Sequence, residues 1–316
     1  MSPENHFHFS ITSISITIPS FLLLKMNKYI VTSLLLWVVL YTNAQKSIDK
    51  KLYGFAAEQF TIGSVLYEDK LNDPSVFNKN WVVQMSKADS NIMRYARIEA
   101  KKLHVHDPRG CTIWLKNKLK GAIMISYKVT ASSNFNESNN IVPRDINQFW
   151  MAQTPDSIDV NAKGGLFDAK KYNGEFKSYD PLQTYYASTG GGHTTDYNKT
   201  IRLRRYPRKI NNVQVAHQGA NSRDDDKAFL IQPDKEYLIQ LVAADDIVQY
   251  IFNGKIVYQL KKGDNVDIFN DAHDKVSKGI WGEAPYTLYT EGYFGFRMTR
   301  THHTYRDFKV YQLIKN

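Results

Sequence analysis

From about residue 55 onward, apolar and polar positions alternate with a period of two. Residues 122–129 (AIMISYKV) place Ile123, Ile125, Tyr127 and Val129 on one side, and residues 237–243 (YLIQLVA) do the same with Tyr237, Ile239 and Leu241. Successive strand side chains point to opposite faces, so this pattern predicts half-buried strands. Residues 247–260 hold two such runs, IVQYIF and KIVYQL, joined by Asn253-Gly254. Asn-Gly accepts the positive φ angles of a two-residue turn, which predicts a β-hairpin. Residues 292–298 (GYFGFRM) and 308–313 (FKVYQL) read as closing strands. No long stretch repeats with a period of 3.6, and residues 49–60 admit one short helix.

Three polar stretches, 132–145, 214–227 and 261–290, read as interruptions between strands. Loops of this length in a β protein are usually functional or disordered. The last carries Asp264, Asp267, Asp271 and Asp274, then Trp281, Tyr286 and Tyr289. No internal repeat and no linker divides the chain. The predicted fold is all-β: one β-sandwich of the jelly-roll kind.

Composition narrows the partner. Of 316 residues, 42% are hydrophobic, enough for a sizeable core. Aromatics reach 13%, which suits strands and, where exposed, sugar faces. The single Cys111 excludes a disulfide framework and a Cys-based zinc site, and reads as a small buried hydrophobe. The formal charge of +10 predicts an acidic partner: nucleic acid, anionic lipid or acidic polysaccharide.

The N-terminus chooses among them. Met26-Asn27-Lys28 opens a positive segment, an apolar run covers 30–40 (IVTSLLLWVVL), and Thr42-Asn43-Ala44 places small residues at −3 and −1. This is the pattern of a secretory signal over 26–44, cleaved after Ala44. The run is too short to span a bilayer, and no Cys follows the cleavage site to take a lipid. Residues 1–25 read as an upstream extension from an early start codon. The mature domain is then 45–316, 272 residues long; losing Lys25, Lys28 and Glu4 leaves a charge of +9. The chain is expected to be secreted or periplasmic, monomeric and not inserted in a membrane. Its expected partner is an acidic polysaccharide, not a nucleic acid.

Candidate chemistry concentrates in residues 183–208. Thr200, Arg202 and Arg204 share one strand face, and Ile201 and Leu203 the other. If the strand continues, Tyr206 joins the arginines and Arg205 falls at the edge of the apolar face. Guanidinium groups donate in pairs to carboxylate or sulfate, although a solvated sheet face reads the same way. Gly190-Gly191-Gly192 permits a Cβ-free turn that presents His193 at the rim of this face, and His is the usual proton carrier near neutral pH. No Lys-Ser/Thr follows these glycines, so this is not a phosphate loop. Of Tyr185 and Tyr186, one points to the core and the other to the arginines.

Residues 145–151 (DINQFWM) put Gln148 and Trp150 on one face and Asn147, Phe149 and Met151 on the other. A Trp beside an amide is either a sugar platform or core. His302 and His303 lie near Arg297 and Arg300 between the last two strands. Adjacent strand residues diverge, so no metal site is expected of the two histidines. The acidic residues between 264 and 274 lack the glycine and final glutamate of an EF-hand, which leaves room only for some other structural calcium. No cofactor is required.

The stretches 111–129 (CTIWLKNKLKGAIMISYKV), 145–152 (DINQFWMA), 184–206 (TYYASTGGGHTTDYNKTIRLRRY), 237–254 (YLIQLVAADDIVQYIFNG) and 292–313 (GYFGFRMTRTHHTYRDFKVYQL) resemble secreted concanavalin-like jelly-roll proteins of bacterial polysaccharide utilisation loci. The resemblance covers about residues 55–316 and is to the ulvan-lyase type. It implies the fold more firmly than the activity, since such folds host lectins, hydrolases and lyases. The E-x-D-x-x-E strand of retaining glucanases of this fold is absent. β-Elimination at a uronic acid needs a group that neutralises the carboxylate, a base and an acid, and not two convergent carboxyls.

The expected roles follow. His193 is the base, Tyr186 the acid or partner base, and Arg204 the carboxylate partner, helped by Gln148 or Asn147. Arg202, Trp150, Tyr185, Tyr206, His302 and His303 line subsites. Two alternatives stand beside the lyase: a non-catalytic carbohydrate-binding protein, and a glycosidase whose carboxylates the sequence does not identify, with Asp145 and Glu291 as candidates.

Overall fold

The computed structural model describes residues 49–87, 92–133, 141–193, 196–210, 213–214, 217–218, 229–270 and 274–316. For residues 193, 196, 209, 210, 213, 214, 217 and 218 it describes the backbone alone. The predicted extension and signal segment, residues 134–140 of the first polar stretch and most of the second lie outside the described residues.

A short helix, Gly54–Gln59, leads into β1 (Phe60–Asp69). A second, Pro74–Asn80, is started by Asp73, whose Oδ1 accepts from the backbone N–H groups of Ser75 (2.8 Å) and Val76 (3.3 Å). The following strands are β2 (Trp81–Met85), β3 (Tyr95–Glu99), β4 (Lys102–Asp107), β5 (Cys111–Leu115), β6 (Leu119–Lys120), β7 (Ile123–Ala131) and β8 (Ile146–Gln153). After a long connection come β9 (Gln183–His193) and β10 (Asp196–Arg205), then the short β11 (Lys209–Ile210), β12 (Val213–Gln214) and β13 (His217–Gln218). The C-terminal part adds β14 (Glu236–Ala244), β15 (Ile247–Phe252), β16 (Lys255–Lys261), β17 (Asn265–Phe269), β18 (Lys275–Ile280), β19 (Glu291–Met298) and β20 (Thr301–Lys315).

Two antiparallel sheets stack as a jelly-roll sandwich. The first runs β16-β15-β14-β7-β20-β4-β3, with β1 also paired to β20; the second runs β10-β9-β8-β19-β5-β2, with β6 paired to β19. Between them lies one large core, in which Ile125, Tyr127, Leu241 and Tyr305 of the first sheet meet Ile113, Trp150, Leu203 and Phe296 of the second. The predicted hairpin is present as β15–β16, with Asn253 at φ 52° and Gly254 at φ 77°. Cys111 is fully buried, and burial pushes its thiol pKa up.

The stretch 261–290 is not a plain interruption. It contains the β17–β18 hairpin, and Val266 and Ile268 alternate with polar residues to put an apolar face into the core. Two of its acidic residues have partners, Asp264 accepting from the Lys261 backbone at 2.8 Å and Asp267 pairing with Lys275 at 2.7 Å; Asp271 lies outside the described residues. Among the described residues no three His, Cys, Asp or Glu side chains converge as a metal site, and no helix is long and apolar enough to cross a membrane.

The outer face of the second sheet has a core of its own. The connection between β8 and β9 crosses it as a strap, and Leu166, Tyr172, Tyr179 and Leu182 pack onto Trp114, Phe149, Tyr186 and Tyr206. Gln84 ties the strap down: its Nε2 donates to the Leu166 carbonyl (2.8 Å), and its Oε1 accepts from the Tyr179 hydroxyl (2.9 Å).

Candidate functional site

Residues directly opposite on neighbouring strands share a face, so the register builds the outer surface of the second sheet row by row. One row runs Arg202–Ser188–Asn147–Arg297–Thr112–Gln84. The next runs Arg204–Tyr186–Phe149–Gly295–Trp114–Val82. The first row is polar throughout; the second is largely aromatic and lies under the strap. Arg202, Arg204, Asn147, Tyr186 and Tyr206 therefore do meet on one face.

Phe176 of the strap sits among three guanidinium groups, at 4.5 Å from Arg208, 5.7 Å from Arg297 and 5.8 Å from Arg204. Arg204 also lies 5.3 Å from the Tyr186 ring. Arg297 is spanned by the strap, and its Nη1 donates to the carbonyls of Cys111 (2.8 Å) and Met298 (2.6 Å). Arg202 and Arg204 retain 7% and 8% exposure, so both are largely buried within this face.

At the start of β8 stands a buried pair that the sequence reading did not assign to this face. Arg144 Nε lies 3.2 Å from Asp145 Oδ2, and Arg144 Nη2 donates to the Gly192 carbonyl at 2.7 Å. Asp145 has φ 57°, a left-handed conformation costly for most side chains and tolerated best by Asn and Asp. Burial raises its carboxyl pKa, opposed by Arg144, Arg297 and a hydrogen bond from Asn147. A Cβ at Gly191 would stand 3.7 Å from Asp145 Oδ1, which places the carboxyl under the glycine run. The only sequence signal for this pair was an Arg-Asp step just before a strand. The backbone of His193 ends β9 beside these groups; its side chain lies outside the described residues.

A family model described as Domain of unknown function (DUF6250) matches residues 105–268, about half of the chain. The chain belongs to this family. The DUF6250 match includes Arg144, Asp145 and the whole of β8, β9 and β10. No curated protein matches the chain in sequence. Among solved structures, a protein of unknown function with a galectin-like fold from Bacillus subtilis is 17% identical, with TM-score 0.53 over 81% of this chain and 100% of its own. Lower scores go to the carbohydrate-binding module CBM66 of Bacillus subtilis (10% identity, TM-score 0.39, 74% and 96% covered) and to a laminarinase from Flavobacterium sp. UMI-01 (12%, 0.43, 79% and 100%). At 17% identity the galectin-like relative speaks for the fold of this DUF6250 chain, not for its activity.

Several expected site residues are elsewhere. Gln148, Trp150 and Tyr185 face the inter-sheet core, because alternation that sends Asn147 and Tyr186 outward sends their neighbours inward. Gln148 accepts from the Tyr127 hydroxyl at 2.6 Å, Trp150 packs on Tyr185 with ring centroids 5.5 Å apart, and the Tyr185 hydroxyl accepts from the Tyr289 backbone at 2.8 Å. None of the three can contact a ligand on the outer face. His302 and His303 belong to β20 of the first sheet. His302 lies on that sheet's outer face, its Nε2 3.3 Å from His104 Nδ1 and its ring edge-on to those of His106 and Tyr95. His303 is fully buried, 2.7 Å from the Arg144 carbonyl, and supports the candidate site from behind.

Tyr186 and Tyr206 are on the expected face but inside the strap's aromatic core, with ring centroids 5.7 Å apart. Burial raises both phenols, so neither is a phenolate near neutral pH and neither serves as a resting base. Arg205 stands at the edge of the inner face as expected, donating to Thr287 (2.7 and 3.0 Å) with its guanidinium 4.2 Å from the Tyr289 ring. Asp145 and Glu291 do not form a catalytic carboxyl pair. Asp145 precedes β8 while Glu291 sits beside the far end of that strand, about 26 Å away by strand rise, against about 5–10 Å for paired catalytic carboxyls.

Proposed function

We propose that the chain recognises an acidic saccharide at the β9–β10 end of the second sheet's outer face and cleaves it as a polysaccharide lyase acting on a uronate-containing, ulvan-like polymer. The observation that supports this reading is the pair of adjacent rows, Arg202–Ser188–Asn147 and Arg204–Tyr186, beside the buried Arg144–Asp145 pair. Two guanidinium groups, a hydroxyl and an amide on one face form a donor surface for carboxylate or sulfate.

In the proposed reaction Arg204 neutralises the uronate carboxylate, which acidifies the C5 proton. A base removes that proton, its electron pair forms the C4–C5 double bond, and the C4–O4 bond breaks; His193, the base expected from the sequence, ends β9 seven residues from Tyr186, about 23 Å by strand rise, so its part in this step is what a His193→Ala variant tests. The leaving oxygen takes a proton from Tyr186, which burial keeps in its protonated form at neutral pH. Arg202 and Asn147 hold the neighbouring part of the polymer.

A non-catalytic carbohydrate-binding role is the second reading. It is favoured by the packing of Tyr186 and Tyr206 beneath the strap, which suits a rigid binding surface as well as a reacting one. The two separate in one assay, with the purified protein incubated with a panel of acidic polysaccharides. Growth of unsaturated-uronate absorbance identifies the lyase, binding without it identifies the binding protein, and new reducing ends without it contradict both.

A further inference from the structure

We propose that a cavity at the opposite end of the same sheet face is a second binding site, for one neutral saccharide unit. It goes beyond the arginine face and does not depend on the lyase reading. The cavity holds about 310 Å³, at the lower bound of small-ligand pockets, which suits a single sugar ring. It lies between the strap's first residues and the β6, β8 and β19 strands. Gln153 at its edge ends β8, whereas Asn147 of the arginine face begins it, so the two sites are about 20 Å apart by strand rise.

The lining chemistry differs from that of the arginine face. Its one lysine, Lys118, is committed to Glu291 Oε1 at 2.5 Å, and Lys120 stands 3.8 Å from the other oxygen. Gln153 spends its Nε2 on the Glu291 carbonyl (2.6 Å), which leaves the amide oxygen to accept. Asp159 uses Oδ1 to accept from the Asn161 backbone at 2.8 Å. Burial raises the Tyr293 hydroxyl pKa, Lys118 opposes it, and Asp159 and Glu291 add to it; all four residues line the cavity. The hydroxyls of Thr154, Ser157 and Tyr293 complete this wall, so it can both accept from and donate to sugar hydroxyls.

With Glu291 paired to Lys118 and Lys120, Asp159 leaves the lining with no positive excess, so the cavity does not draw in a uronate or sulfate as the arginine face does. Its other wall is apolar: Ile158, Val160 and Leu166, with the Tyr293 ring fixed edge-on to Phe167 at 5.3 Å. Such a wall receives the C–H face of a pyranose while the hydroxyls meet the polar side.

The test titrates the purified protein with methyl glycosides of glucose, galactose, mannose, xylose and rhamnose, with glucuronic acid and glucosamine as charged counterparts, read by calorimetry and ligand-observed NMR. At least one neutral glycoside is expected to bind, with little dependence on salt. Asp159→Asn and Gln153→Ala, each checked for an unchanged melting temperature, should weaken it roughly tenfold, the cost of one hydrogen bond to a charged or buried partner. Arg204→Ala should leave it unchanged. The proposal is overturned if no neutral glycoside binds, if glucuronic acid or glucosamine binds more tightly than every neutral one, or if Arg204→Ala abolishes neutral binding while both cavity variants retain it. If acidic polymers fail to bind yet a neutral glycoside still responds to Asp159→Asn, the cavity site stands and the lyase reading falls.

Discussion

His303 Nε2 lies 2.7 Å from the main-chain oxygen of Arg144, so a core residue of one sheet anchors the entry to the other sheet's candidate site. The geometry fixes the tautomer. Nε2–H donates to the carbonyl, and Nδ1 accepts from the Tyr305 hydroxyl at 2.9 Å. Arg144 in turn holds Asp145 and the Gly192 carbonyl.

This arrangement requires a neutral imidazole, and burial pushes the His303 pKa down to about 3. The unfolded histidine takes a proton near its ordinary value, about 6.5. Between these limits the unfolded state binds more protons, so stability is complete above about pH 6.5 and is lost as pH falls toward 3. His302, lowered to about 4 by burial and its two histidine neighbours, acts in the same direction. Urea unfolding at pH 7 and pH 5 should show this loss. His303→Gln should be less stable at pH 7 by about 2 kcal/mol and show a shallower fall on acidification. Equal slopes in the two proteins would contradict the assignment.

Phe176 is the residue through which the strap meets the arginines. Phe176→Ala removes a half-buried ring and its contacts to three guanidinium groups. Thermal or urea unfolding should register a loss of about 3 kcal/mol, less for Phe176→Leu. A change below about 1 kcal/mol would show that the strap is held by Gln84 and Tyr179 without it.

Export processing gives a third expectation. Cleavage after Ala44 yields a chain beginning at Gln45. N-terminal sequencing of exported protein that found residues preceding Met26 would contradict both the start site and the signal.

His193 and Arg204 should fail in different ways. His193→Ala removes a proton acceptor and is expected to lower kcat by roughly 10²–10⁴-fold with binding retained. Arg204→Ala removes charge stabilisation felt in both ground and transition states, so kcat and affinity should fall together, with little rescue by Arg204→Lys. Near-normal turnover in His193→Ala would transfer the base role, with Asp145 the next group to test.

The sequence made local geometry legible and long-range placement much less so. Alternation in β10 put Arg202, Arg204 and Tyr206 on one face and Arg205 at the opposite edge, and Asn253-Gly254 marked its hairpin. Alternation also separated Gln148 and Trp150 from Asn147, but it does not say which face meets the other sheet, so Trp150 read equally as platform and core. A break in the β8–β9 register between Trp150 and Gln153, with Met151 at φ 55°, ends the alternation there. The strap carried no strand or helix period, so its role in burying Tyr186 and Tyr206 was invisible. His302 and His303 seemed close to the site because the pairing of β20 with β4 and β7, in the other sheet, is a non-local fact.

The central claim is that the Arg202–Arg204 face holds an acidic saccharide, and its most direct test is affinity for an acidic polysaccharide as a function of salt. Attraction between the basic protein and a polyanion is screened over about 10 Å at 0.1 M salt, less for the buried part of the contact. Affinity of the unaltered protein should therefore drop steadily from low to high ionic strength, and Arg204→Ala should bind more weakly with a flatter salt dependence. Binding that is insensitive to salt, or an Arg204→Ala protein that binds as well as the unaltered one, would contradict the account.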